Sequence, residues 1–539
     1  MPTIERLSED AVARIAAGEV VTRPASVVRE LVENALDAGA SRVAVAVEGD
    51  GTDLIRVEDD GRGMDAEDAA LAVERHATSK VSDADEVARA ETFGFRGEAL
   101  PSVAEVATLD LTTKAEGVRG TRVVVDGGEK RVEAAGHGVG TTVEVRDLFA
   151  ATPARERALA SADREFARVS EAVSGYALAN PDVRFRLDHD GRTVLSAPGS
   201  GDPTDAAHAV WGRDVAGQGT VLEATAGEVT VRGFLASPAV TRASASNVRV
   251  AVDGRPLTDS TLRNAVREGY GTHLPADRHP VAAVSVDLPP ADVDQNVHPA
   301  KREVAFADPE SVAAAVETAV ADALSGADLA RVADVEFGLA DPPGESAFAD
   351  VSVVGQFRDL YLLCEDGGDL LVVDQHAAHE RVNYERLLDA VGDEVATERL
   401  DPPVSLSLSP AEASLVAAHR EELAAAGFEV EAPGNGTCRV AAVPAPFGDA
   451  ADPEDVRDVL DAVVEGGVED PREEALKAMA CHPSLKAGDD LSTAEAERLV
   501  AHLGACETPT ACPHGRPTVV SIDEATLARE FDRPNTRLE

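Results

Sequence analysis

The hydrophobic and polar positions of this chain change their spacing from one stretch to the next, and these changes predict its elements. Through the first 200 residues, apolar residues recur at helical spacing or alternate in short runs rich in β-branched side chains. The patterns predict an amphipathic helix over 25–38 and strands over 42–47, 54–58 and 122–125. From about 203 to 325 the mixture continues, with strands predicted over 248–252 and 281–286 and a helix over 309–323.

The pattern thins after residue 325 and then returns. The acidic, turn-forming stretch Asp341-Pro342-Pro343-Gly344-Glu345-Ser346 predicts a linker. A third unit begins near Val351, with strands predicted over 360–364 and 370–373. Since 539 residues suit about three domains, we predict domains at 1–202, 203–325 and 351–539, a linker at 326–350, and an α/β (α+β) fold class.

The charge balance indicates the ionic conditions in which the protein works. Asp and Glu number 98 against 50 Lys and Arg, of which only six are Lys, and the net charge is −48. So acidic a surface predicts a cytosol at very high salt, where screening removes most of the self-repulsion. Apolar positions recur throughout, which argues against an acidic disordered protein. Any DNA-binding surface must be a local cluster of Arg on this acidic body.

Two further features bear on location and on cysteine chemistry. The chain has no apolar run near 20 residues and no signal-peptide pattern after Met1, so we expect a cytoplasmic protein without a membrane partner. Its five Cys all lie in the last third. An odd, clustered count favours metal ligation or core thiols over a disulfide framework.

Two motifs in the first domain are suited to a nucleotide. Glu30 and Asn34 lie four residues apart on the predicted helix and share one face, where a carboxylate can activate water and an amide oxygen can bind Mg²⁺. Asp59 follows a predicted strand, and its carboxylate can accept from an exocyclic amine such as that of adenine, while Gly61 and Gly63 permit close backbone approach. Either motif alone is more often ordinary surface.

Two further motifs follow in the same domain. The hydroxyls and paired glycines of 75–80 and 94–100 suit a lid whose amides wrap phosphates. Gly138-Val139-Gly140-Thr141-Thr142 then opens a strand. Each piece is common, but the four in this order are not.

The ordered set of motifs resembles the gyrase, Hsp90, histidine-kinase and MutL ATPase superfamily, and its amino-acid sequence is similar to that of the MutL mismatch-repair family. The matching segments include Ile15-Ala16-Ala17-Gly18-Glu19-Val20-Val21, Arg23-Pro24-Ala25-Ser26-Val27-Val28 and residues 94–100. The resemblance implies an N-terminal ATPase sandwich, a ribosomal-S5-like transducer domain and a C-terminal α/β dimerisation and endonuclease domain. It implies that Glu30 is the general base for ATP hydrolysis and Asn34 an Mg²⁺ ligand. The remaining ATP-binding residues that it implies are Asp59, Gly63, Thr78, Ser79, Lys80, Gly94, Arg96, Gly97 and Thr142.

The second domain carries another family signature, Asn296-Val297-His298-Pro299-Ala300-Lys301. In this Lys-poor chain, Lys301 is expected to reach the ATP γ-phosphate and couple nucleotide state to domain angle. The chain departs from the family at Asp60, where Asn is usual, and at Ala150-Ala151, where Tyr-Asn is usual. Arg267 falls where the family uses an Arg for DNA, although simple ion pairing explains Arg263 and Arg267 equally well.

The segment Asp374-Gln375-His376-Ala377-Ala378-His379-Glu380-Arg381-Val382-Asn383-Tyr384-Glu385 raises the question of a metal. His376 and Glu380 are spaced i, i+4 and can share an ion, although this spacing alone is more often a surface ion pair. Two distant motifs, around Cys481 and around Cys512 and His514, supply further N and S donors. Mixed donors of this kind favour Zn²⁺, and the carboxylates leave room for Mn²⁺ or Mg²⁺.

The same three pieces resemble endonuclease-type members of the MutL family. The resemblance implies a metal site that nicks DNA, with Asp374 and Glu380 at its catalytic centre and a need for ATP control and a partner for strand choice. The implied ligands are Asp374, His376, Glu380, Cys481, Cys512 and His514. The alternative is an ATP-driven matchmaker whose metal is structural only.

The family resemblance also implies partners. They are DNA, a second copy of the chain in a homodimer, and a mismatch-recognition protein of the MutS type. The sliding clamp of replication is a further candidate partner. However, its nearest motif, Glu398-Arg399-Leu400-Asp401-Pro402-Pro403, lacks the usual Gln and has Asp at an apolar position.

Overall fold

The amphipathic pattern near the start of the chain produces the first helix. A computed structural model describes residues 21–75, 98–271, 274, 278–294, 304–325, 346–390, 397–434, 437–445, 453–465, 473, 476–477, 479–480, 484–485 and 491–530. Helix α1 (Pro24–Asp37) begins at a proline, which needs no backbone donor there, and buries Val27, Val28, Leu31 and Val32. The helix predicted over 25–38 is therefore confirmed.

Helix α1 packs on an eight-stranded sheet whose strand order is β5-β4-β3-β6-β2-β1-β7-β8. Alternating burial, as in β1, leaves one sheet face for the helices. The strands are β1 (Arg42–Glu48), β2 (Leu54–Asp59), β3 (Thr108–Lys114), β4 (Gly120–Asp126), β5 (Glu129–Ala135), β6 (Gly140–Arg146), β7 (Arg184–His189) and β8 (Arg192–Ala197). The accompanying helices are α2 (Ala66–Leu71), α3 (Ala99–Ala104), α4 (Pro153–Glu156) and α5 (Ala162–Ala179).

A five-stranded sheet of order β13-β12-β15-β10-β9 follows, and two helices, α8 and α9, pack against each other beside it. Phe234 and Val281 of this region belong to the same apolar core as α1, so the two sheets share a packed boundary. The helices are α6 (Pro203–Trp211), α7 (Arg213–Ala216), α8 (Ser260–Tyr270) and α9 (Pro309–Ser325). The strands of this region are β9 (Gly219–Ala226), β10 (Val229–Ala236), β11 (Thr241–Arg242), β12 (Val248–Val252), β13 (Arg255–Leu257), β14 (His279–Pro280), β15 (Ala282–Asp287), β16 (Val293–Asp294) and β17 (Ala305–Phe306). Of these, β11 pairs with β14 and β16 pairs with β17 outside the five-stranded sheet.

The last third contains two smaller sheets, of order β18-β19-β20-β24 and β21-β23-β22, each with its own core. The strands are β18 (Ser352–Phe357), β19 (Tyr361–Asp366), β20 (Asp369–Asp374), β21 (Thr397–Ser407), β22 (Glu429–Gly434), β23 (Thr437–Pro444) and β24 (Val519–Ile522). The helices are α10 (Gln375–Ala390), α11 (Pro410–Ala418), α12 (Arg420–Ala425), α13 (Asp455–Glu465), α14 (Thr493–Ala505) and α15 (Glu524–Glu530). The three-stranded sheet region contacts the N-terminal half, for example where Arg278 pairs with Asp458.

Every element predicted from periodicity is present, and the fold class is mixed α/β as predicted. The boundaries differ by one or two residues, as at β15, where 281–286 was predicted and the strand is Ala282–Asp287. Across the described ranges, no helix combines the length and apolar character that a membrane span requires. The domain limits 1–202, 203–325 and 351–539 stay predictions.

Candidate nucleotide and metal sites

The first site is built where the end of α1 meets the turn after β2. Gly61 packs so closely on Ala38 that an added Cβ would lie 2.8 Å from the Ala38 Cβ. Arg62 N donates to Ala38 O at 3.0 Å. These contacts bring the turn that begins at Asp59 against the C-terminal end of the helix that carries Glu30 and Asn34, both of which are half-buried.

Asp59 ends β2 inside this corner. Its Oδ1 accepts from Gly61 N at 2.9 Å, and its backbone pairs with Thr141 of β6, while Glu58 pairs with Thr142. Burial raises the pKa of Asp59 to about 6, and the hydrogen bonds from Gly61 and Thr141 offset only part of that rise. Ionising the carboxylate therefore stays unfavourable despite these two backbone donors, and a further donor such as an amine would favour it.

Two glycines are required by the packing of the chain itself. Gly63 has φ +64°, and a Cβ there would lie 2.0 Å from Lys114 O. Gly140 has φ +124°, and its Cβ would lie 2.1 Å from Asp59 O. Both positions therefore exclude a side chain, because Gly63 packs on the end of β3 and Gly140 packs on the end of β2. The approach of Gly63 to a ligand stays a prediction.

Sequence reasoning missed two polar residues of this corner. The buried Thr113 Oγ1 accepts from Met64 N at 3.0 Å and lies 2.9 Å from Thr141 Oγ1, so it joins the turn to β6. His137 Nε2 lies 2.9 Å from Thr142 Oγ1. A Thr in a strand and a His in a loop carry no motif, and only strand pairing could have found them.

The departure from the family at Asp60 has a structural explanation. Its carboxylate accepts from Ser41 N at 2.9 Å, Ser41 Oγ at 2.8 Å and Arg42 N at 2.8 Å. It therefore secures the turn between α1 and β1. Seven predicted ATP-site residues lie outside the described residues and stay predictions: Thr78, Ser79, Lys80, Gly94, Arg96, Gly97 and Lys301.

The second site lies where β20 runs into α10. Asp374 ends the strand, its N donates to Thr518 O at 2.9 Å, and its Oδ1 accepts from Ala377 N at 2.9 Å, as an N-capping carboxylate does. The bond to Thr518 places the turn at 512–516 beside the first turns of α10. Chain segments more than 130 residues apart are thereby brought together.

Three of the predicted ligands converge here. One ligand atom from each of Glu380, Cys512 and His514 lies within 4.8 Å of the other two. Glu380 and Cys512 are 2% and 1% exposed, and His514 Nδ1 lies 2.7 Å from Glu380 Oε1. Hydrogen bonds with Cys512 and Glu380 raise the pKa of His514 to about 10. A carboxylate, a thiol and an imidazole therefore face one point.

The turn that carries Cys512 and His514 is held on α10 by residues that the site prediction did not include. Arg381 Nε donates to Ala511 O at 2.5 Å. Glu385 accepts from Glu507 N at 2.6 Å and Thr508 N at 3.1 Å. Glu385 belongs to the acidic spacing of the motif, so the sequence contained a signal for it, whereas Arg381 had none.

The other predicted ligands lie differently. Asp374 and His376 are not in the group of three, and Cys481 lies outside the described residues. His376 Nδ1 donates to Leu485 O at 2.5 Å, which in a neutral imidazole puts the ligating lone pair on Nε2. His379 Nδ1 accepts from Leu485 N at 3.0 Å, and burial lowers its pKa to about 3, so it stays neutral. Two histidines of α10 therefore hold the backbone that follows the Cys481 motif.

The Gln of the same motif has a structural role. Gln375 is fully buried, and its Nε2 donates to Asp359 O at 2.7 Å. Its Oε1 accepts from Gln356 Nε2 at 2.6 Å, and Gln356 Oε1 in turn accepts from Leu491 N at 3.2 Å. The start of α10 is thereby tied to β18 and to the start of the α14 region.

Comparison with known proteins identifies the class first. Residues 22–130 match the family model described as "Histidine kinase-, DNA gyrase B-, and HSP90-like ATPase", so the part of the first sheet from β1 to β4, with helices α1 to α3, belongs to an ATPase domain of that class. Residues 207–325 match "DNA mismatch repair protein, C-terminal domain", and 354–491 match "MutL C terminal dimerisation domain".

Full-length relatives show the family to which the whole chain belongs. It is 40% identical to the DNA mismatch repair protein MutL of Halobacterium salinarum, covering 98% of this chain and 97% of that protein. It is 38% identical to MutL of Methanothrix thermoacetophila, covering 99% and 100%. A crystal structure of the N-terminal domain of a DNA repair protein matches with a TM-score of 0.50 and 26% identity, over 58% of this chain and 98% of that one. The chain belongs to the MutL family of DNA mismatch repair proteins.

Proposed function

We propose that this chain is a homodimeric mismatch repair clamp that binds and hydrolyses ATP and carries a metal-dependent DNA-nicking site. The observation that carries the nicking proposal is the convergence of Glu380, Cys512 and His514 at the start of α10. ATP control would come from the N-terminal domain, whose class is that of known ATPases.

In the ATP site, Glu30 acts as general base, Asn34 binds Mg²⁺ and Asp59 accepts from the adenine amine. Support comes from the contact of the Asp59 turn with the end of α1, and from the burial that raises the pKa of Asp59 despite its two backbone donors, so that a further donor would favour its ionised form. The lid residues and Lys301 complete the proposal from the family resemblance alone.

The donor set at the second site fits a divalent ion. A buried carboxylate, a buried thiol and an imidazole form a mixed O, S and N set, which suits Zn²⁺ and leaves Mn²⁺ as an alternative. Glu380, Cys512 and His514 would hold the ion, and Asp374, His376 and Cys481 are the further ligands proposed. When bound, such an ion activates water and offsets the charge that develops on a phosphodiester. The chain itself supplies the orientation, through the capping of α10 by Asp374 and through the bond from His376 to Leu485.

The proposed homodimer is supported by an apolar face on the β18-β19-β20-β24 sheet. Strand register aligns Leu363, Val372 and Val520 across three strands, and Phe357 pairs with Tyr361 on the same face. Val520 and Phe357 are 56% and 55% exposed, which is unusual for apolar side chains gathered on one surface. A second copy of the chain would cover this face.

DNA, a MutS-type mismatch-recognition protein and the sliding clamp stay proposed partners. Arg267 lies on α8 and is half-exposed, which is compatible with a phosphate contact. The degraded clamp motif at 398–403 falls on β21.

The nicking proposal is tested with the full chain, supercoiled plasmid and Mn²⁺ at molar KCl. We expect open circles from the wild type and none from Asp374→Asn, which loses ionic charge at the start of α10. Asp366→Asn, an exposed carboxylate at the far end of the same hairpin, is the matched control and should nick normally. Equal cutting by Asp374→Asn would show that the site is wrongly assigned.

A second candidate, a structural metal without nicking, is favoured by the near-complete burial of Glu380 and Cys512. Metal analysis separates both metal-binding hypotheses, the nicking site and the structural site, from the possibility that the chain binds no metal. Cys512→Ser should lose bound zinc, whereas Cys438→Ala, in the separate core of the three-stranded sheet, should retain it. Zinc loss in Cys512→Ser together with an inactive wild type in the plasmid assay would establish the structural role.

A further inference from the structure

A buried ion pair crosses the boundary between the first two sheets and ends on the helix that carries Glu30. Glu33 of α1 is 4% exposed and Arg255 of β13 is 2% exposed, although 222 residues separate them. Arg255 Nε donates to Glu33 Oε1 at 3.1 Å, and Nη2 donates to Oε2 at 3.3 Å. This bidentate contact fixes the orientation of the Glu33 carboxylate as well as its distance from Arg255, because the guanidinium is planar and rigid.

A third group completes the arrangement. Tyr176 of α5, itself buried, donates its hydroxyl to Glu33 Oε1 at 2.8 Å. Burial and the nearby Glu33 carboxylate raise the pKa of Tyr176 well above its ordinary value, so the phenol keeps the proton that it donates. Glu33 is therefore held from two directions, by a helix of its own domain and by a strand of the next.

The strand that delivers Arg255 is itself tightly docked. Gly254 has φ +78° in the turn before β13, and its carbonyl accepts from Asn180 Nδ2 at 2.8 Å. On the other side of Arg255, Pro256 packs on Gly175 of α5, where an added Cβ would lie 3.3 Å from the proline ring. The backbone on both sides of Arg255 is therefore anchored, so the guanidinium can act as a fixed point for α1.

The position of Glu33 on α1 gives the contact its significance. Glu33 comes three residues after Glu30 and one before Asn34, and Glu30 and Glu33 line the same cavity between α1, α5 and the second sheet. Any rotation or slide of α1 that breaks the Glu33 contact also displaces Glu30. A buried ion pair adds little net stability compared with apolar packing but can fix a register, and the boundary already has a shared apolar core.

We propose that Arg255 is a positioning residue for ATP hydrolysis, which orients Glu30 by holding Glu33 from the second domain. This inference rests on the proposed role of Glu30 as general base. It makes the second domain part of the catalytic alignment through a contact separate from the one expected of Lys301.

The test is steady-state ATP hydrolysis by the full chain at molar KCl, with kcat and KM measured separately. Arg255→Met should lower kcat by about tenfold or more, since a small displacement of a catalytic group costs that much, while KM for ATP changes by less than about threefold. The double variant Glu33→Gln with Arg255→Met, which removes both charges, should keep the low kcat.

Arg249→Met is the matched control. Arg249 Nη1 pairs with Glu171 Oε1 at 2.7 Å across the same boundary, but this partner lies on α5 and not on α1, so the loss of Arg249 should leave kcat within about twofold. Wild-type kcat in Arg255→Met, an equal loss in Arg249→Met, or recovery in the double variant would each overturn the proposal. Arg255→Lys keeps the charge without the fork, so wild-type kcat there would contradict it even if Arg255→Met does not fold.

Glu30→Ala is measured in parallel to separate the two proposals. Normal turnover by Glu30→Ala would overturn the proposed base and this inference with it. Abolished turnover by Glu30→Ala, with normal turnover by Arg255→Met, would overturn the inference alone.

Discussion

At the scale of single residues, the proposed ATP site includes one carboxylate, Asp59, whose ionisation is disfavoured by burial. Asp59 has its pKa raised to about 6 by burial, against an ordinary value of 3.8. The folded state therefore binds this proton more tightly than the unfolded state does. The Asp59 contribution to stability is present below pH 4 and is lost as the pH rises to about 6.

Nucleotide binding should show the opposite pH dependence. In the proposed site the adenine amine would donate to the ionised carboxylate, so below pH 6 binding would first have to remove a proton. We expect the Kd for ATP to rise as the pH falls from 7 to 5, by up to about tenfold per pH unit. Titration calorimetry in buffers of different ionisation enthalpy measures both the Kd and the proton released. A Kd that stays constant over this range, or an unchanged pH dependence in Asp59→Asn, would contradict the assignment.

Gly63 gives a second test at the same scale. Gly63→Ala places a Cβ 2.0 Å from Lys114 O, so the turn after Asp59 must move and ATP affinity should fall by about tenfold or more. Gly117→Ala has a similar φ of +76° but meets no atom within 4 Å. It should cost only about 1 kcal/mol of stability and bind ATP normally. Nucleotide titration and thermal unfolding of both variants separate the effect of the steric clash with Lys114 from the cost of the positive φ angle. Equal ATP affinity in the two variants would refute the expected role of Gly63.

At the scale of elements, both sites place their chemistry on turns that rigid helices hold. The Asp59 turn rests on the end of α1, and the Cys512 turn rests on α10. Loops positioned in this way can carry exacting geometry without belonging to a regular element. The residues that anchor the loops are therefore as testable as the predicted ligands.

Glu385 is the anchor with the clearest expected effect. Glu385→Ala leaves the backbone donors of Glu507 and Thr508 without their carboxylate, so the turn bearing Cys512 and His514 should loosen. Zinc affinity, measured by competition with a chromophoric chelator, should fall by about 10- to 100-fold. Glu497→Ala, an exposed carboxylate on α14, should leave the affinity unchanged. Unchanged affinity in Glu385→Ala would mean that the turn is held by other contacts.

At the scale of the whole molecule, the apolar face of the β18-β19-β20-β24 sheet contrasts with a surface that is otherwise strongly acidic. Burying this face between two copies offsets the repulsion between bodies of net charge −48, and high salt weakens that repulsion further. The homodimer should therefore be more sensitive to a new charge on this face than to one elsewhere.

Val520→Glu places a charge on the exposed apolar face, on its edge strand β24, and should raise the dimer dissociation constant by about tenfold or more. Val132→Glu is the control, because Val132 is similarly exposed, at 48%, but lies on β5 of the N-terminal sheet. Sedimentation equilibrium at molar KCl reports both. A Val520→Glu protein that dimerises like the wild type would place the interface on another surface.

Whether a feature could be predicted from the sequence depends on how far apart along the chain its interacting residues lie. Helix α1 and strands β1, β2, β19 and β20 follow from the spacing of their own apolar residues, so they were predicted to within one or two positions. Thr113 and Arg255 were not predicted, because nothing in their neighbouring residues marks them. Their partners come from strand pairing and domain packing across long separations.

The sequence by itself determined the fold class, the ordered ATP motifs and the chemical types of the candidate metal ligands, because periodicity and residue chemistry are local properties. Only the tertiary structure decided that Glu380, Cys512 and His514 converge while Asp374 caps a helix. It also decided that Gly63 and Gly140 make room for neighbouring strands and that Glu33 meets Arg255. The physical reason is that these contacts are made by the sheet register and by the packing of helices on sheets, which bring together groups far apart along the chain.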